Sequence, residues 1–559
     1  MFLGGSAPHL SVREAQLELI PPRKKRMNMK KIKGYLSDKF YKHLDAPLKL
    51  KKKVIDSNSG KKKFEEIPNR INEIHSYVSN PKNICKRAFF PFIGFSIEER
   101  RGAKILDLEK NGNGSIIKKR PIRYASHKDN AIFSYYASLL YPLYEDKLKR
   151  LNIQDVVIAY RRSEYLKTKN ADNIHLAYDV FKEIQKRRNC IALAFDIKSF
   201  YDNIDHQKLK EEWIKLLNND VLKKRLPDDH YKIYKTLTNY SYIHRKAIEI
   251  YFNCNAPKLL GKCCEKCKTP MKFKFGHKIF KNMKDFHKFK KWYSEHPEFK
   301  LWDLSDDELM YKEQILASTK TFNFNVGILD PKPYGIPQGS ALSALLANIY
   351  MIPFDLEMKK YAQEKGAIYR RYSDDIMFIC DKKYEKKAMK EIPEKIRKRG
   401  DHLIIHKITK GDKKSKSKYY DFTSPDIKKR PLQYLGLEFN GETIKLRNSS
   451  LARYLRKSKR GITAIKISVQ NKIISFLYNN KDIDTIKPHI HRKTIYERYT
   501  YLGKRNFLSY AYRAAKNTNS RHIKKQLKRH FVRVLHLIDV ADYGLKKFYQ
   551  LMKNKQKKK

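Results

Sequence analysis

Two adjacent aspartates, Asp374 and Asp375, stand inside Ile368-Tyr-Arg-Arg-Tyr-Ser-Asp-Asp-Ile-Met-Phe-Ile379, and they restrict what this stretch can become. Apolar and β-branched residues on both sides predict two short strands, with Ser373-Asp374-Asp375 at the turn between them. A hairpin tip projects two carboxylates together without burying them in a core. Neighbouring carboxylates repel, and one of them keeps its proton unless a cation lies close. Mg²⁺ answers that need, because it takes one or two carboxylates together with substrate phosphate oxygens. An Asp-Asp pair is also common in plain solvated turns, so the pair needs partners before it means anything.

Three further segments supply them. Upstream, Cys190-Ile-Ala-Leu-Ala-Phe-Asp196 begins as an apolar run and ends on an acid. The run predicts a buried strand, and an acid at its end carries a desolvation cost that a metal would offset. Between the two acidic sites lies Tyr334-Gly-Ile-Pro-Gln-Gly-Ser-Ala-Leu-Ser-Ala-Leu-Leu-Ala-Asn-Ile-Tyr350. It predicts a Gly/Pro turn carrying Gln338 that opens into a helix, with Ser340 placed to cap it. Downstream, Gln433-Tyr-Leu-Gly-Leu-Glu-Phe-Asn-Gly-Glu-Thr-Ile-Lys-Leu446 predicts a hairpin around Asn440-Gly441. Asp202 and Asp205, close to Asp196, suit turn and N-cap roles for a helix beginning near His206.

This series of strand acid, Pro-Gln-Gly turn, Asp-Asp hairpin and second hairpin resembles the palm of a reverse transcriptase, over roughly residues 115–446. The resemblance implies an α+β, right-hand polymerase with an antiparallel-sheet palm, fingers and a helical basic thumb. It implies that Asp196, Asp374 and Asp375 hold two Mg²⁺ ions, Asp375 contributing least, with the backbone carbonyl of Ile197 as a further ligand. Such a pair, roughly 3.5–4 Å apart, activates a primer 3′-hydroxyl and stabilises the leaving pyrophosphate. Tyr201 matches the ring that excludes a ribose 2′-hydroxyl, with Phe200 beside it as a core ring, and Gln338 matches the residue against the incoming nucleotide. Lys119-Arg-Pro-Ile-Arg-Tyr-Ala-Ser-His-Lys-Asp-Asn130 and Val157-Ile-Ala-Tyr-Arg-Arg-Ser163 resemble fingers motifs, making Lys128, Arg123, Arg161 and Arg162 candidates for a triphosphate clamp. Leu403-Ile-Ile-His-Lys-Ile-Thr-Lys410 resembles the segment that brings a lysine near the pyrophosphate, and both Lys407 and Lys410 fit it loosely.

Charge agrees with a polyanionic partner. Of 559 residues, 122 are Lys or Arg and 59 Asp or Glu, a net +63. A field of that size favours nucleic acid; the resemblance implies a template RNA, an RNA/DNA duplex and dNTPs as partners, with a homo-oligomer left open. No run of about 18 apolar residues predicts a membrane span. Seven cysteines without a secretory signal point to reduced thiols in a cytoplasmic setting.

The chain divides into an extension over 1–28, an amino-terminal region with fingers over 29–185, and palm segments over 186–240 and 326–446. A basic Cys/His insertion spans 241–325, and a helical thumb 447–559. That last segment holds 30 Lys and Arg against 5 Asp and Glu. Within the insertion, Cys264-x₂-Cys267 has a zinc-knuckle spacing that Cys254, Cys263, His277 or His287 could complete as a structural Zn²⁺ site; a lysine-rich loop with free thiols is the other reading. The order Asn170-Ala-Asp-Asn-Ile-His175 is one residue longer than the matching retron motif, and no Val-Thr-Gly follows. The remaining resemblance is to free-standing bacterial reverse transcriptases linked to antiphage defence, some of which copy a companion non-coding RNA. Retron or group II intron types, untemplated or protein-primed synthesis, and an inactive palm serving as an RNA-binding scaffold stand as alternatives. Tyr201 disfavours an RNA-dependent RNA polymerase.

Overall fold

The computed structural model describes residues 51–55, 62–66, 68–102, 115–161, 171–217, 225–245, 288, 333–408, 416–479, 482–486 and 488–557. In chain order these form β1 (Lys51–Ile55), β2 (Lys62–Glu66), α1 (Pro68–Val78), α2 (Pro81–Lys86), β3 (Phe92–Gly102) and β4 (Ser115–Tyr124). Then come α3 (His127–Arg150), α4 (Asn173–Arg187), β5 (Ile191–Asp196), α5 (His206–Leu217), α6 (Asp228–Thr238) and β6 (Tyr242–His244). The central stretch holds α7 (Ser343–Tyr350), α8 (Ile352–Glu364), β7 (Ile368–Tyr372), β8 (Asp375–Cys380), α9 (Glu385–Arg397) and β9 (Lys418–Asp421). It ends in β10 (Leu432–Tyr434), β11 (Leu437–Phe439), β12 (Ile444–Leu446), α10 (Asn448–Tyr478), α11 (Arg492–Tyr499), α12 (Phe507–Asn517), α13 (Arg521–Leu527) and α14 (His530–Lys557). Helices with mainly antiparallel sheets make an α+β fold, as the sequence predicts.

Two units interleave along the chain. The first comprises residues 1–160, 197–358 and 392–405. Its sheet has the order β4-β3-β6, with β3 and β4 antiparallel and β6 added in parallel. Its helical core is built from Phe133, Tyr136, Tyr144 and Trp213, all fully buried. Charged groups are buried within this unit as well, Asp129 among them. Asp129, near the start of α3, is buried with the Arg87 guanidinium at 2.7 Å and the Phe90 amide at 3.0 Å. A buried carboxylate needs such partners, because an unpaired one would cost several kcal/mol or take up a proton (of order 20 kcal/mol in the idealised limit).

The second unit comprises residues 161–196, 359–391 and 406–559. A four-stranded antiparallel sheet, ordered β7-β8-β5-β9, lies at its centre. Along β5 the large residues Ile191, Leu193 and Phe195 share one face, and Ala192, Ala194 and Asp196 share the other. The face with the large residues is covered by Tyr361 of α8, 5.6 Å from Phe378, and by Glu385 of α9, which accepts from Tyr419 Oη at 2.8 Å. The alanine face lies toward α4, whose Asp179 is 3.5 Å from Arg370. In the β10-β11-β12 sheet, Phe439 stacks on Phe181 of α4 at 4.7 Å. The β11–β12 loop follows the predicted Asn440-Gly441 chemistry. Gly441 has φ +94°, and Asn440 Oδ1 accepts from the Glu442 and Thr443 amides at 3.1 and 2.6 Å.

Beyond Leu446 the regular elements among the described residues are all helices. Ile462 and Ile473 of α10 face Val534, Ile538, Leu545 and Tyr549 of α14 across a shared core. The spacing of three and four residues along each helix explains why both stay helical over such lengths. Among the described residues no helix is long and apolar enough to cross a membrane.

Candidate active site

The Asp-Asp hairpin is tighter than the sequence suggests. Tyr372 pairs with Asp375, so only Ser373 and Asp374 form the turn, and Asp375 is already the first residue of β8. Ser373 has φ +59° and Asp374 does not share that sign, the pattern of a II′ hairpin turn, whose first position favours glycine. A serine there costs roughly 1–2 kcal/mol of backbone strain, so its surroundings must hold it. Arg371, fully buried one residue before Tyr372, does so by donating from Nη1 to the Ser373 carbonyl at 3.1 Å.

Register then decides which carboxylates share a face. Asp196 at the end of β5 is the direct partner of Asp375 on β8. Opposed residues in an antiparallel pair project to the same side, with Cβ atoms about 4.5–5.5 Å apart. Asp375 is exposed and Asp196 partly so, and Asp374 is next to them at the tip. The structure therefore sets Asp196 directly opposite Asp375, with Asp374 adjacent in the turn.

Asp196 is also gripped from its other side. Its amide donates to Ser417 Oγ at 3.0 Å, and its carbonyl accepts from the His406 amide at 3.1 Å. Its carboxylate Oδ2 lies 3.5 Å from His406 Nε2 and 3.9 Å from Lys416 Nζ, and those two nitrogens are 3.0 Å apart. His406, Lys416 and Ser417 are functional candidates that sequence reasoning missed. The sequence points to a lysine in this segment, but Lys407 is an exposed neighbour of His406, and Lys410 lies outside the described residues. Ile197 forms a bridge with Ile405, flanked by bonds from the Lys198 amide to the Ile404 carbonyl and from the His406 amide to the Asp196 carbonyl. In that pattern the bridged residue's own carbonyl points away from residue 405, which leaves the Ile197 oxygen free of that ladder.

Among the described residues no three His, Cys, Asp or Glu side chains converge as a ready-made metal cage. Mg²⁺ asks for less: one or two carboxylates and phosphate oxygens from a substrate. The donor set of Asp196, Asp374 and Asp375 fits that description.

A second group of candidates lies in the first unit. The short 3₁₀ turn Phe200–Asn203 follows Asp196; Phe200 is buried and Tyr201 half-buried, their rings 5.6 Å apart. Ile336 of the Pro-Gln-Gly segment donates its amide to the Tyr201 carbonyl at 2.9 Å, and His206 Nε2 lies 2.7 Å from the Gly335 carbonyl. At the other end of the segment, the Gln338 carbonyl accepts from the Arg123 amide at 2.8 Å. Gly339 has φ +120°, and a Cβ there would sit 2.8 Å from the Arg123 carbonyl, so this close approach requires glycine. The turn carrying Gln338 is thus stitched between the Tyr201 turn and the end of β4.

The candidate cations divide. The Arg123 guanidinium is buried on Tyr242, 3.7 Å from the ring centroid. It also bonds the Tyr240 phenol, whose pKa burial raises while Arg123 pulls it down. Packing thus holds Arg123 in place. Lys128 is exposed at the start of α3, and Arg161 is half-buried. Asp205 caps α5 as expected, accepting from the Lys208 amide at 2.8 Å. Ser340 does not cap α7. The helix starts at Ser343, Ser340 Oγ accepts from the Leu342 amide at 3.3 Å, and Ser343 Oγ donates to the Pro337 carbonyl at 2.7 Å. Two extra residues of turn are needed because the Pro-Gln-Gly segment is tied at both ends. Arg162, Cys254, Cys263, Cys264, Cys267, His277 and His287 lie outside the described residues.

Residues 307–439 match the family model described as "Reverse transcriptase (RNA-dependent DNA polymerase)". The chain therefore carries a reverse transcriptase domain, which includes Gln338, Asp374 and Asp375. No curated protein matches the chain significantly. Similar solved structures include apo telomerase from Candida tropicalis truncated from its C-terminal domain, at 12% identity and TM-score 0.34, covering 71% of this chain and 63% of that one. Telomerase from Candida albicans in complex with a TWJ fragment of telomeric RNA follows at 10% identity and TM-score 0.31, covering 90% of this chain and 73% of that one. This chain thus spans less than two thirds of the first of these structures, and likeness at such scores does not separate one activity from another.

Proposed function

We propose that this chain is an RNA-directed DNA polymerase that adds dNTPs to a primer 3′-hydroxyl, with Asp196, Asp374 and Asp375 as the ligands of two Mg²⁺ ions. The observation that carries this reading is the register of Asp196 opposite Asp375, at the tip of a hairpin within the matched domain. When bound, the ions supply an activated 3′-oxygen and charge stabilisation on the leaving pyrophosphate. The chain's own residues set the geometry. Arg371 fixes the turn that presents Asp374, and the Ser417 hydroxyl and the His406 amide, both bonded to the Asp196 backbone, fix the position of Asp196. Gln338 lies on the turn tied to both Tyr201 and β4, so a nucleotide held against Gln338 would meet the Tyr201 ring, which disfavours a 2′-hydroxyl.

The template is proposed to be RNA, with a companion non-coding RNA as the preferred source and antiphage defence as the setting. The large positive charge and the basic helical segment after Leu446 support a polyanionic partner. Sequencing of co-purifying RNA and DNA tests the source: a unique RNA with complementary DNA supports it, and low-complexity DNA attached to protein favours untemplated synthesis. The activity itself is tested by primer extension on an RNA template with dNTPs and Mg²⁺. Asp374→Ala should abolish extension. Activity surviving that substitution would remove the metal assignment, and equal use of rNTPs would remove the role given to Tyr201.

A further inference from the structure

We infer that Lys416 competes with a divalent cation for Asp196, so that the acid is released to metal only when a triphosphate draws the ammonium away. This rests on the metal reading above and adds a residue to it. The carboxylate oxygen Oδ2 is the one approached by both Lys416 Nζ, at 3.9 Å, and His406 Nε2, at 3.5 Å. The 3.0 Å contact between Nζ and Nε2 makes the imidazole an acceptor for the ammonium, so the two act together with Lys416 supplying the charge.

The arrangement is built by contacts to the Asp196 backbone, one from a side-chain hydroxyl and one from an amide. Ser417, almost wholly buried, receives the Asp196 amide, and the His406 amide meets the Asp196 carbonyl. His406 is therefore held directly on the Asp196 backbone, and Lys416 is held there through its neighbour Ser417. Lys416 itself remains nearly half exposed, with a long stem that can swing without disturbing this clamp. An ammonium and a divalent ion cannot both sit against one carboxylate oxygen without strong repulsion. The triphosphate of an incoming nucleotide brings several negative charges and offers the ammonium another partner. Metal affinity should therefore be weak without nucleotide and rise when nucleotide is present.

The test is Mn²⁺ binding to the full chain, read by electron paramagnetic resonance without turnover, with and without a non-hydrolysable dNTP analogue. Lys416→Met should tighten Mn²⁺ binding about tenfold without nucleotide, the scale expected for removing one adjacent charge, and the gap should narrow once the analogue is added. Lys416→Arg, which keeps the charge, should bind as weakly as the unaltered chain. Equal or weaker Mn²⁺ binding by Lys416→Met overturns the competition while leaving the polymerase reading intact. If Asp196→Asn and Asp374→Asn leave Mn²⁺ binding unchanged, the metal reading falls and the competition with it.

Discussion

At the scale of single residues, the acidic hairpin depends on a buried cation that no acid-centred reading of the sequence would choose. Arg371 has no exposed surface, and its guanidinium donates to the carbonyl of a serine held at φ +59°. Replacing it removes a charge-assisted hydrogen bond and leaves that carbonyl with one partner fewer, a loss of about 1–3 kcal/mol. Arg371→Met should therefore lower the single-turnover extension rate at least tenfold, while primer–template affinity measured by filter binding stays close to its original value. Arg371→Lys should recover part of the rate. The pair Asp374-Asp375 was legible because strand alternation and turn chemistry are local. Arg371 was not, because an arginine in a strand of a chain rich in cations carries no sign of burial. The same crowding hid Lys416 and His406: the segment was recognised, but which cation meets Asp196 is set by chain contacts more than two hundred residues apart.

Elements show a similar division. Strand β5 and the hairpin of β7 and β8 follow from apolar runs and their interruptions. Their register does not, since it arises from pairing between segments far apart in sequence, and it alone places Asp196 beside Asp375. The turn before α7 departs from the sequence expectation for a related reason. Ser340 has the right type for a cap, but the segment is anchored to Tyr201 at one end and to Arg123 at the other, which delays the helix to Ser343. Gly339 is the tightest point of that anchoring. Gly339→Ala would drive a methyl group into the Arg123 carbonyl and occupy a backbone region that L-residues avoid. A loss of about 1–3 kcal/mol is expected, seen as a lower urea midpoint. The KM for dNTP should rise as well, because Gln338 shifts with the turn.

For the whole molecule, charge is the dominant quantity. About two fifths of the net +63 belongs to the residues after Leu446, and on α10 Arg453, Arg456, Lys457 and Arg460 are all exposed. Spacings of three, four and seven residues put Arg453, Arg456 and Arg460 on one side of the helix. Replacing these three arginines with glutamine should leave thermal stability nearly unchanged, because none is buried. It should flatten the dependence of log affinity for RNA on log salt by about 2–3, the contribution of three released counterions. An unchanged slope would mean that this side of α10 does not meet the phosphate backbone. Composition made the polyanionic partner legible. The division into units was less so, because each is assembled from separated stretches of chain that only tertiary pairing joins.

The grip on Asp196 bears finally on timing. Its amide and carbonyl are both bonded, to Ser417 and to the His406 amide, so its backbone has little room to travel. Any change in what the carboxylate faces must then come from rotation about χ1 and χ2, a motion completed in about picoseconds to nanoseconds for a side chain with solvent access. Enzymes commonly turn over at about 1–1,000 per second. Reorientation of this acid is therefore far too quick to set the pace of synthesis, and a slow step, where one is measured, belongs to movement of larger parts of the chain or of the nucleic acid.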